Sequence, residues 1–294
     1  MATQQKMQSG ANGRTEGFDF EDLLEEIFNA TGHSGLKIVP AKQMVEGIVA
    51  KTARNKNDKV IESASSADGL SIKNPKTSGT PIQMQIILKK KLLARLGMIE
   101  PVPQGVLDFF DLFFGTPDTD KFREDCARLG VNYDALEYQH ERRRNRALWD
   151  SIPKKLSNAF LKYFNKEEIK REILEVVLKR GVTALRGSEF MIWCDSSVAG
   201  KSNPEHLAAF RIDTLIDQII SAKFKWTPKL HQGRRSTVYL GPLGLQMKGS
   251  GSGQDYHNPQ FRMSLNSAIR ECPSVPVFRG DYRTIFPSLE NLPK

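Results

Sequence analysis

The order in which helical and strand periodicities alternate constrains this 294-residue chain most. Phe20, Leu23, Leu24, Ile27 and Phe28 recur at the spacing that gives a helix one apolar face. Asp19, Glu21 and Asp22 stand in its first turn, where the helix dipole favours acids. Residues 36–39, 59–62 and 70–73 read as short strands, the last two joined by the polar turn SASSADG. Residues 82–96 (IQMQIILKKKLLARL) fit either a strand or a helix, and residues 100–181 read as mainly helical. Within them, Asn165-Lys166-Glu167-Glu168 has the spacing of a capping box. The stripe Ile169, Ile173, Leu174, Val177 and Leu178 follows, and Lys179, Arg180 and Gly181 suit a helix C-terminus. Residues 189–194 (EFMIWC) read as a buried strand. Asn203 and Pro204 predict the start of another helix, with Leu207, Phe210, Leu215, Ile216 and Ile219 on its apolar face. From Thr227 onward, STVYL, LGLQMK and QFRMSL predict short strands between Gly-rich turns. This succession predicts a mixed α/β or α+β fold: a core sheet flanked by helices, with a helical insertion and a C-terminal β-meander.

Composition narrows the function classes. Apolar residues make up 39% of the chain, enough to build a core. No stretch reaches the ~18 apolar residues of a membrane span. Residues 1–16 are polar, lack the apolar core of a secretory signal and read as a flexible tail. Cys126, Cys194 and Cys272 form no CxxC motif, and the five histidines are scattered, which argues against structural zinc and for a reducing, cytoplasmic compartment. Gly200-Lys201-Ser202 lacks the upstream glycine of a P-loop, since Asp195 stands there. Trp149, Trp193 and Trp226 are assigned to the core. The net charge of +9 suits a polyanionic partner.

Asp58 opens the strand predicted over 59–62, and Lys73 closes the one over 70–73. In adjacent strands these side chains converge at one edge. A carboxylate can hold Mg²⁺, and a nearby lysine can orient an attacking water and stabilise the charge developing on phosphorus-bound oxygen. A solvated Asp at a strand start and a surface Lys fit the same spacing. In context, the Glu21-bearing helix, the strand with Asp58 and the strand ending Ser71-Ile72-Lys73 resemble the core of the PD-(D/E)xK nucleases. The resemblance implies a restriction-endonuclease-like core, with Asp58 on the metal, Lys73 at the attacking water, and Glu21 orienting or binding the metal. Asn57 stands in place of the family's Pro, and Ser71 in place of its second acid. Some type II restriction endonucleases of this superfamily show S-x-K and supply that acid from a helix about a dozen residues later. Gln85 occupies that place, with Gln83 close by. Glu62 and Asp68 are alternative metal-binding acids, and Asp68 would replace Asp58 in a shifted strand assignment.

A second pattern is independent of the first. Tyr239-Leu240-Gly241 leads into Gln246-Met247-Lys248-Gly249-Ser250-Gly251, and Asn258-Pro259-Gln260-Phe261-Arg262 follows. This is similar to several type II restriction endonucleases, in which a strand ending Q-R-K-G-G is followed by a Gly-rich loop and by L-Q-F-K. Gln, Lys and Arg at strand ends offer the groups that read base edges or grip phosphates, and small loop residues let the backbone approach a duplex. A polar hairpin with a flexible tip fits equally well. Residues 160–194, a helical stretch and then a short apolar strand, have the texture that follows the nuclease motif in that family. Arg142 and Arg143, in the basic run HERRRNR of a predicted helix, suit DNA phosphates or a solvated face balanced by acids.

The resemblance implies a type II site-specific deoxyribonuclease: a Mg²⁺-dependent endonuclease of double-stranded DNA in the bacterial or archaeal cytoplasm. It implies a homodimer with no membrane association, because a two-fold protein reads a palindrome. The implied organisation is a tail over 1–16 and a single nuclease domain over 17–294. That domain comprises a catalytic core (17–99), a helical region (100–181) and core completion with DNA-recognition hairpins (182–294). Contacts to DNA fall to Gln246, Lys248, Gln260, Arg262, Arg142 and Arg143. The alternative is a noncatalytic nucleic-acid-binding protein, such as a viral or phage coating protein, which Ser71 and the helical bulk of 100–181 favour.

Overall fold

A computed structural model describes residues 20–32, 36–40, 59–62, 67–74, 79, 81–136, 145–180, 187–194, 203–231, 233–247 and 257–289. The fold is mixed α+β, and the chain divides into two compact units, each assembled from discontinuous segments. One comprises 1–82, 175–218 and 264–294; the other comprises 83–174 and 219–263. This partition cuts across the expected boundaries at 99 and 181.

The first unit is built on a six-stranded sheet. Its strands are β1 (Lys37–Pro40), β2 (Lys59–Glu62), β3 (Ala67–Lys73), β5 (Phe190–Cys194), β6 (Leu207–Arg211) and β11 (Phe278–Gly280), in that spatial order. The pairs are antiparallel except β3 with β5, which run parallel. A parallel pair needs a long crossover, and here the 74–189 connection contains most of the second unit. The helix over 20–30 (α1) buries Phe20, Leu24 and Phe28 against Leu70 and Ile72 of β3, Phe190 and Ile192 of β5, and Leu207 and Ala209 of β6. Helix α9 (Tyr282–Ser288) closes the same core, with Phe286 edge-on to Phe28 at 4.9 Å. Strand alternation sends Ser71, Met191, Trp193, Ala208 and Phe210 to the other face, where all are buried. Burial on both faces explains why β5 is apolar at every position, as EFMIWC predicted.

The helix predicted from Asn203 is replaced by a strand. Asn203 Oδ1 accepts from the Glu205 amide in a local turn, and Leu207–Arg211 then pairs with both β5 and β11. The helix (α7) begins only at Ile212 and runs to Ser221, with Leu215, Ile216 and Ile219 buried. LAAF is covered on both faces, so it carries no period-two signal, and its apolar residues extend a helical stripe by coincidence.

The second unit pairs an all-helical layer with a five-stranded sheet. Residues 82–96 resolve into a strand, β4 (Ile82–Ile86), followed by a helix, α2 (Lys89–Gly97). Then come α3 (Gln104–Phe113), α4 (Thr119–Leu129), α5 (Lys154–Phe164) and α6 (Glu167–Leu174); the π-helical stretch Glu175–Arg180 that follows in the chain belongs to the first unit. Asp118 caps α4 by accepting from the Asp120 and Lys121 amides, and Gly130 ends it at φ 73°. Phe109, Phe160 and Phe164 stack in series at centroid distances of 4.4 and 4.2 Å. Asn165 does not act as the expected N-cap. It follows α5, and its Oδ1 accepts from the Trp226 amide at 2.7 Å.

The predicted meander is present as β7 (Thr227–His231), β8 (Arg234–Leu240), β9 (Leu243–Met247) and β10 (Pro259–Met263), all antiparallel, with β4 beside β10. Helix α8 (Leu265–Glu271) follows in the first unit. Among the described residues, no helix is long and apolar enough to cross a membrane.

Candidate functional site

Two regions hold the residues singled out from the sequence. The first is one end of the six-stranded sheet. Lys73 closes β3, half-buried, in register with Trp193 on the parallel strand β5. Its Nζ donates to the Ile72 carbonyl at 3.1 Å. Ser71, two residues earlier on the same face, is fully buried beside Met191. Asp58 lies outside the described residues. The residue bonded to it, Lys59, starts β2 and pairs with Leu70.

The backbone separates the other candidate acids from this end. Asp68 pairs with Ile61, and Glu62 with Ala67, at the opposite end of the β2/β3 ladder. Asp68 precedes Lys73 by five residues, about 17 Å of extended strand. Glu62, opposite Ala67, is a further residue away. Glu21 sits half-exposed on α1, whose apolar side packs on the Leu70/Ile72 face of β3. Ser71 and Lys73 face the other way by strand alternation, so α1 does not cover the face that carries Lys73. Gln85 belongs to β4 in the second unit. Among the described residues no group of three His, Cys, Asp or Glu can hold a metal ion. Cysteine chemistry is disfavoured. All three cysteines are buried, and burial pushes the thiols of Cys126 and Cys272 up to about 11.

The second region is one face of the five-stranded sheet. Gln260 pairs with Gln246 across β10 and β9, and Gln246 with Thr237 across β9 and β8. Their side chains form a continuous ladder. Thr237 Oγ1 donates to Gln246 Oε1 at 3.3 Å, and Gln246 Nε2 donates to Gln260 Oε1 at 3.1 Å. Gln260 Nε2 then donates to Gln83 Oε1 on β4 at 2.9 Å. Arg262, two residues after Gln260, lies on the same face opposite Gly244. Burial pulls its guanidinium below the ordinary arginine value, with Tyr239 opposing. Tyr239 leans over Gly244, where a Cβ would come within 3.0 Å of the ring, and Lys229 Nζ stands 5.1 Å from the Tyr239 centroid. The opposite face, through Met84, Val238, Leu245, Phe261 and Met263, is buried.

Of the expected DNA contacts, the structure therefore brings Gln246, Gln260 and Arg262 onto one face. Lys248, Arg142 and Arg143 lie outside the described residues. Gln83, Thr237, Tyr239 and Lys229 join this face although the sequence reading did not assign them to it. Their signal was the period-two spacing of polar residues within β4, β7 and β8, which becomes a surface only once the strands are in register.

A third cluster, unmarked by sequence, ties the loops of the second unit together. Lys89 Nζ donates to the Gly115 carbonyl at 2.6 Å, and its amide donates to Asn258 Oδ1. The adjoining His257, at φ 59°, donates from Nδ1 to the Phe114 carbonyl at 2.8 Å. Burial lowers the pKa of both Lys89 and His257. These groups hold backbone carbonyls and read as structural.

No protein-family model matches this chain, and no curated protein matches it.

Proposed function

We propose that the protein is a Mg²⁺-dependent, sequence-specific endonuclease of double-stranded DNA, acting as a homodimer in the manner of a type II restriction enzyme. The observation that carries the reading is the pairing of Lys59 with Leu70. It brings the residue bonded to Asp58 alongside the strand that ends at Lys73, which supports reading the D…K pattern at one end of the six-stranded sheet. The order of elements supports it further: a Glu21-bearing helix, an antiparallel strand pair, a helical stretch and a short apolar strand beside β3.

In this reading Asp58 would hold Mg²⁺, which would supply charge neutralisation at a scissile phosphate. Lys73 is a fixed cation on a strand end, so it stabilises the developing negative charge without reorganisation and orients the attacking water. Ser71 offers only a hydroxyl where a second carboxylate would stand. The polar face of the second unit contacts DNA through Gln246, Gln260 and Arg262.

The test is incubation of plasmid or phage DNA with purified protein in Mg²⁺ and in EDTA. Discrete, metal-dependent fragments support the reading. Retarded but intact DNA under both conditions refutes cleavage and leaves a noncatalytic DNA-binding protein. That second reading is favoured by the buried hydroxyl of Ser71 at the position of the acid.

A further inference from the structure

We propose that the β7–β8 side of the five-stranded sheet is a binding surface for single-stranded nucleic acid, with Tyr239 as the platform on which an unpaired base stacks and Lys229 as the partner of its phosphate. The inference goes beyond the duplex-cleavage reading above, because it needs neither metal nor cleavage.

The first observation is where the charge lies. The first unit balances 19 Lys and Arg with 19 Asp and Glu, whereas the second carries 24 against 15. The whole excess of +9 therefore belongs to the second unit. Within it, the segment 219–263 supplies β7 to β10 and holds seven basic residues and one acid, Asp255, which lies outside the described residues. Lys223, Lys225 and Lys229 are exposed. Cations gathered on one element without acids suit a polyanion, whose binding releases condensed counterions.

The second observation is the aromatic ring set among them. Thr227, Tyr239, Gly244 and Arg262 are successive partners across β7, β8, β9 and β10, so they form one row on the polar face. Lys229, Thr237, Gln246 and Gln260 form the next row. Gly244 leaves a gap in the first row, and the Tyr239 ring lies across it, 3.0 Å from where a Cβ would stand. The sheet thus backs one side of the ring. Lys229 Nζ reaches the ring at 5.1 Å from its centroid, and that residue is exposed while Tyr239 is half-buried. A base within a duplex is stacked on its neighbours and cannot cover such a ring, whereas an unpaired base can. A base arriving on Tyr239 displaces the Lys229 ammonium, whose flexible stem carries it to the adjoining phosphate.

A tyrosine that only covered Gly244 beside solubilising lysines would have the same geometry, and binding separates the two roles. The experiment is fluorescence anisotropy with the full-length protein in EDTA. The probes are labelled oligo(dT), oligo(U) and a DNA duplex, each of about 12 nucleotides or base pairs, within the span of single-strand sites. At least one single strand should bind more tightly than the duplex, and the two strands tell DNA from RNA. Y239A should weaken that binding at least about fivefold, the low end of the loss of one stacked base. Y239L, which still covers Gly244, should weaken it as much, and Y239F should leave it near wild type. K229A should lower the slope of log K against log salt concentration by about 0.7, one phosphate contact on a single strand. Thermal unfolding of each variant confirms a folded protein. The proposal is overturned if the duplex binds at least as tightly as both single strands, if no probe binds, or if folded Y239A and Y239L bind like wild type. A K229A slope equal to that of wild type overturns the phosphate assignment. A preference for the duplex would support the duplex reading while sinking this one, and metal-dependent cleavage is scored separately from both.

Discussion

Substituting Gly115 by alanine should destabilise the second unit far more than the same change at Gly130. Both glycines have positive φ, 63° and 73°. Alanine in the left-handed region costs about 1–2 kcal/mol by local sterics alone. At Gly130 nothing lies within 4 Å of an added Cβ, so that local term is the whole effect. At Gly115 the Cβ would sit 1.5 Å from the Asn145 carbonyl oxygen and 2.6 Å from its carbon. Both are backbone atoms, and no side-chain rotation relieves the overlap.

The Asn145 segment must therefore withdraw. It would give up the Thr116 amide bond to the Asn145 carbonyl, 3.2 Å long, and loosen the Asn145 side chain from the Pro117 carbonyl and Thr119 hydroxyl. Each bond contributes about 0.5–1.5 kcal/mol net. The sum for G115A is about 3 kcal/mol or more, against about 1–2 for G130A. Urea unfolding followed by tryptophan fluorescence gives both values, with coincident transitions by circular dichroism checking two-state behaviour. A G115A variant within about 0.5 kcal/mol of G130A, near the scatter of such measurements, would show that this loop yields and that the close approach to Asn145 is not a constraint.

Three further outcomes are expected. D58A and K73A should each lower Mg²⁺-dependent cleavage at least ~100-fold, the scale of losing one preorganised charge, while retaining DNA retardation; undiminished cutting by either would remove that residue from the site. His257 has its pKa lowered by burial, so the folded state binds its proton less readily than the unfolded chain does. Stability should therefore fall as pH drops below about 6.5. H257N, which tolerates positive φ and keeps a donor for the Phe114 carbonyl, should flatten that dependence between pH 7 and 5 in a thermal-shift series. F160A removes a fully buried ring stacked between Phe109 and Phe164 and should cost about 3–5 kcal/mol in denaturant unfolding; a loss under about 1 kcal/mol would mean the cavity collapses.

Much of the fold was legible because periodicity is local. The stripe of Phe20, Leu24 and Phe28, the uninterrupted run FMIWC and the alternating meander each announce their own burial over a few residues. Strand β6 escaped because burial on both faces erases the alternation that marks a strand. Asn165 escaped for a different reason. Its side chain serves the Trp226 amide, 61 residues away, while the amide of Lys89 is served by Asn258 at a separation of 169 residues. A capping motif records that a polar group can bond locally, not whether a distant amide competes for it.

For the candidate sites the division is sharper. Sequence alone determined which residue types stand near strand ends: Ser71 and Lys73 in one region, Gln246, Gln260 and Arg262 in the other. It also determined that Ser71 and Lys73, and Gln260 and Arg262, fall two apart on a strand and so share a face. Only the tertiary structure decided that Asp68 and Glu62 lie at the far end of the ladder from Lys73, and that Glu21 packs with α1 on the opposite side of β3. Only it joined Gln83 to Gln260, 177 residues apart. The physical reason is that side-chain direction follows from the local pleat, whereas strand neighbours are chosen by burial and hydrogen bonding summed over the whole sheet.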